Sequence, residues 1–261
     1  MAAVPRHAVV TGASRGLGEA VAHALSLQPE TASLTLVARD GDALSQVADD
    51  IRRAGFAGIL RQVTGDLSDG AGISACLRAL VDLDLPFNVL INNAGTGYPA
   101  ALEATPPDQI ERILSVNLAA PLRLAGLIIP MARRQGFGRV VSISSISALR
   151  PSPESIPYAA AKAGLMALAE GLCVAEAAWG LTANTICPGL LPTEMGRDAI
   201  RRAVPEYNER NAARIEAAVA QQFPAGRMTR LDEVTAAISF LISDAGAGVN
   251  GEFLRISAGL L

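Results

Sequence analysis

Short apolar runs alternate with longer segments of helical periodicity along the whole chain. Strands are predicted at 8–10, 34–37, 59–63, 89–91, 140–144, 182–187 and 253–256. Helices are predicted at 19–27, 42–54, 72–82, 108–134, 159–179 and 231–242, where apolar residues recur every three or four positions. Pro121 is expected to kink the helix at 108–134 or to lie near a break in it. Repeated strand–helix–strand units predict an α/β fold: a doubly wound Rossmann-type parallel sheet with helices on both faces.

The core of this sheet is expected to be aliphatic. Half of the 261 residues are hydrophobic, but only 4% are aromatic. Such a composition favours parallel strands covered by Ala-rich helices over an aromatic-rich β-sandwich. No linker or repeat interrupts the alternation, so residues 1–261 are predicted to form a single domain. The more charged segment 192–220 is predicted to be an insertion that covers the substrate side as a lid.

Charge, cysteine and histidine content exclude several classes of function. The net charge is −3, which gives no reason to expect a nucleic-acid partner. Cys76, Cys173 and Cys187 are widely spaced and are expected to be reduced thiols of a cytoplasmic protein. His7 and His23 lack metal-ligand spacing, so no metal site is predicted. No uninterrupted run of about 18 apolar residues occurs, so no membrane span is expected.

A glycine-rich turn separates the first strand from the first helix. Gly12, Gly16 and Gly18 lie in the segment 11–18, and Ser14, Arg15 and Leu17 complete the turn. Such a turn allows the backbone to approach a pyrophosphate, which then meets the amino end of the helix. A glycine cluster can also serve only a tight turn, but its place between strand and helix favours nucleotide binding.

Arg39 closes the second strand, 21 residues after Gly18. Folds that prefer NAD usually have an acidic residue there for the ribose hydroxyls, whereas an arginine suits a 2′-phosphate. Arg15 in the glycine turn could reach the same phosphate. The predicted cofactor is therefore NADP(H). The alternative is that both arginines are ordinary solvated surface residues.

Tyr158 and Lys162 are four residues apart at the start of a predicted helix. This spacing places both side chains on one helix face, about 6 Å apart. A nearby ammonium favours the phenolate and is expected to lower the pKa of Tyr158, which would make the phenol a better acid–base catalyst. Taken alone, however, this pair is frequent and often structural.

Several motifs in this order resemble the short-chain dehydrogenase/reductase family over essentially the whole chain. They are Thr11-Gly12-x-x-x-Gly16-x-Gly18, Asp66-Leu67, Asn92-Asn93-Ala94-Gly95, Asn117, Ser145, Tyr158-x-x-x-Lys162, and Pro188-Gly189 followed by Thr193. The segments 37–40 and 143–149 are also similar, more weakly, to sepiapterin-reductase-like members. Two positions depart from the family pattern: Asn88 stands where Asp is frequent, and 255–259 replaces a Val-Asp-Gly-Gly-like end.

The resemblance implies a role for each matching residue. Tyr158 would be the general acid in carbonyl reduction, and Lys162 would lower its pKa and hold the nicotinamide ribose. Ser145 would hydrogen-bond the substrate oxygen, and Asn117 would bind a water that links Lys162 to solvent. The implied cofactor contacts also include Asp66 and Leu67 at the adenine, Asn93, Ala94 and Gly95 beside strand four, and Pro188, Gly189 and Thr193 at the nicotinamide.

The walls of the substrate pocket are predicted from their position next to these motifs. They are Ser147, Leu149, Tyr98, Leu190 and Met195, although each could equally belong to ordinary loop packing. The predicted reaction is NADPH-dependent reduction of a carbonyl on a small or medium-sized organic molecule.

Two other functions stay open. A 3-oxoacyl-thioester (acyl carrier protein) reductase would share every motif and would need basic residues at the pocket mouth, for which Arg133, Arg134 and Arg150 are candidates. A non-catalytic NADP(H)-sensing regulator would be free to lose Tyr158 or Lys162, and both are present. The small apolar faces of 108–134 and 159–179 pair subunits in the family, so a homodimer or homotetramer is expected.

Overall fold

One parallel sheet organises the molecule and brings the carboxyl ends of its strands to a common edge. The computed structural model describes residues 4–260. Its strands are β1 (Arg6–Thr11), β2 (Thr31–Ala38), β3 (Ile59–Thr64), β4 (Val89–Asn92), β5 (Gly138–Ile143), β6 (Leu181–Pro188) and β7 (Phe253–Ile256). They form a seven-stranded sheet in the order β3-β2-β1-β4-β5-β6-β7, with all neighbours parallel. The predicted doubly wound fold is confirmed.

Helices cover both faces of the sheet. They are α1 (Gly16–Ser26), α2 (Gly41–Arg53), α3 (Gly70–Val81), α4 (Pro107–Leu114), α5 (Ala120–Gln135), α6 (Ile156–Glu176), α7 (Glu194–Ala203), α8 (Ala212–Ala220) and α9 (Leu231–Ile242). The apolar faces of α1, α2 and α9 share one core cluster, and those of α3, α5 and α6 share another. Because both sheet faces are covered, the central strands are almost uniformly buried, including all four residues of β4.

The predicted helix at 108–134 is interrupted, and the break has a functional consequence. Helices α4 and α5 are joined by a π-helical turn over Ser115–Ala119. Pro121 lies in the first turn of α5, two residues after the π turn ends. The interruption is therefore next to Pro121, as the second of the two expectations for this residue predicted. The wider π turn directs the Asn117 side chain into the interior.

Two helical stretches, 107–135 and 153–179, are long and apolar enough to cross a membrane when only length and composition are considered. Each nevertheless packs an apolar face against the sheet. Leu124 and Ile128 from the first stretch and Leu165 and Ala169 from the second are at most 3% exposed. These buried faces give both stretches a place in the core of the fold.

The segment after β6 forms a small unit of its own. Helices α7 and α8 bury Ile200, Tyr207 and Ile215 against each other in a separate cluster. The Arg197 guanidinium lies 3.3 Å from the Glu216 carboxylate and joins the two helices. This segment begins beside the carboxyl edge of the sheet, and its function as a lid stays a prediction.

Candidate active site

The predicted site residues meet at the carboxyl edge of the sheet because most of them follow a strand. Gly12 to Gly18 follow β1, Arg39 follows β2, Asp66 and Leu67 follow β3, Asn93 to Gly95 follow β4, Ser145 to Leu149 follow β5, and Pro188 to Thr193 close β6. The strand order reverses between β1 and β4. A cleft at such a switch point is the usual ligand site of an open α/β sheet.

The glycine turn is packed too closely for side chains at two positions. Gly12 has a φ of +65°, and a Cβ there would lie 2.9 Å from the Ala94 Cα. A Cβ on Gly18 would lie 2.1 Å from the Gly12 carbonyl oxygen. The turn can therefore form only with glycine at both positions. It joins the end of β1 at Thr11 to the start of α1 at Gly16.

Thr11 and Asn93 tie this turn to the end of β4. The Thr11 hydroxyl accepts hydrogen bonds from the backbone N–H groups of Asn93 and Ala94, each at 3.0 Å. The Asn93 side-chain amide donates to the Thr11 carbonyl at 2.9 Å and to the Gly12 carbonyl at 3.2 Å. Asn93 thus shapes the turn itself. The role of Thr11 was missed in the sequence, although its place directly before Gly12 was a signal.

The amino end of α1 fits an anionic ligand. Side chains cap the first turns of α2, α3 and α7, through Asp40, Asp69 and Thr193 respectively. Helix α1 has no side-chain cap, so no side chain satisfies the N–H groups of its first turn. Together with the partial positive charge of the helix end, these groups suit the pyrophosphate of NADP(H).

The two arginines proposed for the 2′-phosphate lie close to this turn. The Ala13 N–H donates to the Val37 carbonyl at 3.2 Å, which brings the turn and the end of β2 together. Arg39 is exposed there, and the carboxylate of its neighbour Asp40 is occupied with capping α2. The Arg15 guanidinium forms an ion pair at 2.6 Å with Glu194 in the first turn of α7. The contact of either arginine with a phosphate stays a prediction.

Helix α6 places Tyr158 and Lys162 on one face, as the spacing predicted. The Lys162 ammonium lies 5.6 Å from the centre of the Tyr158 ring. Burial raises the pKa of the Tyr158 phenol, while its hydrogen bond with Ser145 acts in the opposite direction and lowers this pKa. The Lys162 ammonium donates a 2.7 Å hydrogen bond to the Ile143 carbonyl. Its lowering of the Tyr158 pKa stays a prediction.

Lys162 is buried, with 3% of its surface exposed, and this burial lowers its pKa to about 8. The Ser144 hydroxyl donates to the Lys162 carbonyl at 2.8 Å. Two buried hydrogen bonds therefore fasten the Lys162 turn of α6 to the end of β5, where Ser145 is located. The contribution of Ser144 was missed in the sequence.

Asn117 is completely buried behind this pair. Its side-chain amide donates to the Thr96 carbonyl at 2.7 Å and to the Ile113 carbonyl at 2.9 Å. A Cβ on Gly95 would lie 3.2 Å from the Asn117 Oδ1 and 3.5 Å from the Lys162 Nζ. Gly95 therefore leaves space between Asn117 and Lys162, in the position where the predicted water would lie.

The remaining cofactor residues flank the two ends of the cleft. Leu67 is buried and Asp66 is exposed at the end of β3. At the other end, the Gly189 N–H donates to the Ile256 carbonyl at 2.9 Å, and Thr193 caps α7. A Cβ on Gly16 would lie 3.3 Å from the Thr193 methyl group, so the glycine turn and the segment after β6 touch.

The predicted pocket walls differ in their surroundings. Tyr98 and Met195 are large exposed side chains, 39% and 50% accessible. Gly97, next to Tyr98, faces the Tyr158 ring, since a Cβ there would lie 3.8 Å from it. Ser147 donates its N–H to the Ser145 hydroxyl at 3.1 Å, Leu149 is partly buried, and Leu190 packs with the α7–α8 cluster.

Two of the three candidate basic residues lie away from the pocket mouth. Arg133 and Arg134 are in the last turn of α5, which leads into the start of β5. They are therefore at the amino edge of the sheet, opposite Ser145. The Arg133 guanidinium is also bound by both oxygens of Glu176, at 2.6 and 2.7 Å. Only Arg150, which follows the Ser145 loop, retains a place near the site.

Comparison with known proteins identifies the family. The model of the short chain dehydrogenase family matches residues 6–203. The chain belongs to the short-chain dehydrogenase family.

This short-chain dehydrogenase is similar to curated proteins over nearly its full length. It is 30% identical to the 3-oxoacyl-[acyl-carrier-protein] reductase FabG of Escherichia coli K12, covering 97% of this chain and 96% of that protein. It is 33% identical to an acetoacetyl-CoA reductase of Rhizobium meliloti, covering 97% and 98%. Among solved structures, a gluconate 5-dehydrogenase from Burkholderia cenocepacia in complex with NADP and tartrate has a TM-score of 0.83 at 29% identity, covering 99% and 96%. The chain is therefore an oxidoreductase, and its relatives differ in substrate.

Proposed function

We propose that this short-chain dehydrogenase reduces a ketone of a small or medium-sized organic substrate, using NADPH. The observation that carries the proposal is the attachment of α6 to β5. It brings Tyr158 and Lys162 to the strand end from which Ser145 emerges. The uncapped α1, the exposed Arg39 and the NADP bound to the similar gluconate 5-dehydrogenase support NADP(H) as the cofactor.

The bound cofactor supplies the hydride, and the chain's own residues handle the proton. Tyr158 and Ser145 both donate hydrogen bonds to the carbonyl oxygen, which gains negative charge as it is reduced. Tyr158 then transfers its phenolic proton to that oxygen. The Lys162 ammonium, on the same helix face, stabilises the phenolate that is left. The space beside Gly95 allows a water to connect Lys162 with Asn117 and return a proton.

An apolar substrate is favoured by exposed apolar side chains in the segments that follow β4, β5 and β6 at the carboxyl edge of the sheet. Tyr98, Leu102, Ile156 and Met195 are all large, apolar and exposed. The loop that carries Tyr98 and Leu102 is bound to the turn before α6 by a hydrogen bond from the Ala100 N–H to the Glu154 carbonyl, at 3.1 Å. Exposed apolar groups gathered at a cleft are typical of a ligand site.

This apolar mouth supports a 3-oxoacyl thioester as a second candidate substrate. FabG and acetoacetyl-CoA reductase, to which the chain is similar, act on such thioesters by name. Arg150 is the basic residue left to meet an acidic carrier protein. A non-catalytic sensor of NADP(H) is not favoured, because Tyr158, Lys162 and Ser145 are all present and placed together.

Three further features belong to the proposal. Residues 192–220 act as a lid over the substrate side, supported by their contact with the glycine turn. A homodimer or homotetramer is supported by the exposed apolar side chains Leu122 on α5, Val174 on α6 and Trp179 directly after it. A cytoplasmic location is supported by three cysteines that are all free thiols.

The test is a screen of NADPH oxidation against simple ketones, diketones, aldehydes and 3-oxoacyl thioesters, with gluconate-type polyols assayed in the oxidative direction. We expect activity on apolar ketones or thioesters that is lost in Tyr158→Phe. Turnover only of polyols would contradict the apolar substrate class. Full activity of Tyr158→Phe on a verified substrate would contradict the proposed mechanism.

A further inference from the structure

An ion pair joins the two sides of the cofactor cleft. The Arg15 guanidinium, in the glycine turn, lies 2.6 Å from the Glu194 carboxylate, at the start of α7. The side chains are 71% and 65% exposed, so solvent reaches both. The backbones also approach each other there, since a Cβ on Gly16 would lie 3.3 Å from the Thr193 methyl group. Arg15 and Glu194 are therefore close because the backbone segments that carry them are close, and not only because their side chains are long.

The same guanidinium is a predicted contact of the 2′-phosphate of NADPH. A guanidinium binds carboxylates and phosphates with the same planar donors, so the two anions compete for it. We propose that Glu194 is a cofactor-specificity residue, whose carboxylate competes with the 2′-phosphate for Arg15. This inference rests on the proposed use of NADPH. It assigns to Glu194 a role that no motif in the sequence indicated.

The exchange of partners is favourable for physical reasons visible in the structure. An exposed ion pair contributes little, because water and salt screen it. Glu194 also lies in the first turn of α7, where the helix end stabilises a carboxylate after its arginine has left. A phosphate carries more charge than a carboxylate and therefore takes Arg15 when NADPH binds. NADH has no group at that position and leaves the pair intact.

The consequence is a measurable effect on selectivity. Removing the Glu194 charge frees Arg15 before NADPH binds. Because an exposed pair is weak, we expect Glu194→Gln to tighten NADPH binding about two- to fivefold. The pyrophosphate is common to both cofactors, so an effect of the Glu194 charge on the pyrophosphate cancels in the ratio of the NADH and NADPH dissociation constants. That ratio should rise in Glu194→Gln.

The experiment measures the dissociation constants of NADPH and NADH by titration for the full chain and four variants. These are Glu194→Gln, Arg15→Met, the Arg15→Met/Glu194→Gln double variant and Glu206→Gln. Glu206 is an exposed carboxylate between α7 and α8 and controls for the loss of one negative charge in this segment. We expect Glu206→Gln to leave the ratio unchanged. In the Arg15→Met background, Glu194→Gln should also have no effect, because the competition needs Arg15.

Two outcomes would overturn the inference in distinguishable ways. If Arg15→Met lowers the NADPH preference but Glu194→Gln leaves it unchanged or lowers it, Glu194 does not compete, and the proposed cofactor contacts stand. If Arg15→Met does not alter the preference, the assignment of Arg15 to the 2′-phosphate fails, and the role of Glu194 fails with it.

Discussion

The ammonium of Lys162 donates a 2.7 Å hydrogen bond to the carbonyl oxygen of Ile143, the last residue of β5. This bond holds the charged end of the side chain at the strand end that leads to Ser145. It also keeps the ammonium in an environment where burial lowers its pKa to about 8. Lys162 is therefore positioned by the sheet. Its burial makes the charged form of the side chain less favourable than it would be in water.

The first prediction concerns the pH dependence of stability. The pKa of Lys162 is about 8 in the folded chain and near its ordinary value of 10.5 after unfolding. Between these values the unfolded chain binds more protons, so the free energy of unfolding gains a contribution that rises with pH. Relative to Lys162→Met, the wild-type chain should become more stable from about pH 8 to 10.5. Thermal unfolding of the wild-type chain and Lys162→Met, without cofactor and over this pH range, measures the difference. The same pH dependence of stability in both chains would contradict the lowered pKa of Lys162.

The second prediction separates the roles of Tyr158 and Ser145 from cofactor binding. Tyr158→Phe should lower kcat by about 10²–10⁴-fold, because the general acid is lost while the ring remains. Ser145→Ala should also slow turnover, and both variants should bind NADPH nearly as well as wild type. Lys162→Met should weaken NADPH binding as well. Since burial raises the pKa of Tyr158, alcohol oxidation should continue to increase with pH into the alkaline range.

The third prediction is the cofactor preference. NADPH should bind at least about tenfold more tightly than NADH, because a charge-assisted hydrogen bond contributes about 1.5–3 kcal/mol. Arg39→Asp should remove or reverse this preference. The matched control is Arg53→Asp, because Arg53 is an exposed arginine at the end of α2. This variant should keep the cofactor preference unchanged. Equal dissociation constants for the two cofactors in the wild-type chain would rule out the 2′-phosphate site.

The fourth prediction concerns the lid over residues 192–220. Hydrogen exchange of its backbone amides should slow when NADPH and a substrate analogue are added, because closure shields them from solvent. The backbone amides of α9 provide a reference, since α9 packs in the same core cluster as α1. Unchanged exchange across 192–220, with full occupancy of the cofactor site, would show that this segment does not close.

The fifth prediction concerns backbone strain near the carboxyl end. Ala258 has a φ of +50°, a left-handed conformation that costs a residue with a Cβ about 1–2 kcal/mol. Ala258→Gly relieves this strain, partly offset by the greater freedom of glycine in the unfolded chain. The melting temperature should rise by about 1–3 °C. Ala245→Gly, where φ is not positive, should lower it slightly, and a loss of stability in both variants would contradict the strain.

Much of the fold was predictable because its signals are local. Strand positions followed from runs of apolar residues, and the parallel arrangement followed from the helices between them. The segment 108–134 was harder, since α4, the π turn and α5 have one continuous helical pattern. A π turn adds one residue to the hydrogen-bonded ring, and an interruption of this length is too short to stand out in the apolar periodicity of the sequence.

The sequence by itself determined the sheet, the glycine turn and the spacing of Tyr158 and Lys162, because these depend on residues near each other in the chain. Only the tertiary structure decided which distant groups meet. It brought Glu194 to Arg15, Ile143 to Lys162 and Asn93 to Thr11. It also placed Arg133 at the opposite edge from the site. Contacts between residues far apart in the chain depend on how strands and helices pack, and no local pattern encodes that packing.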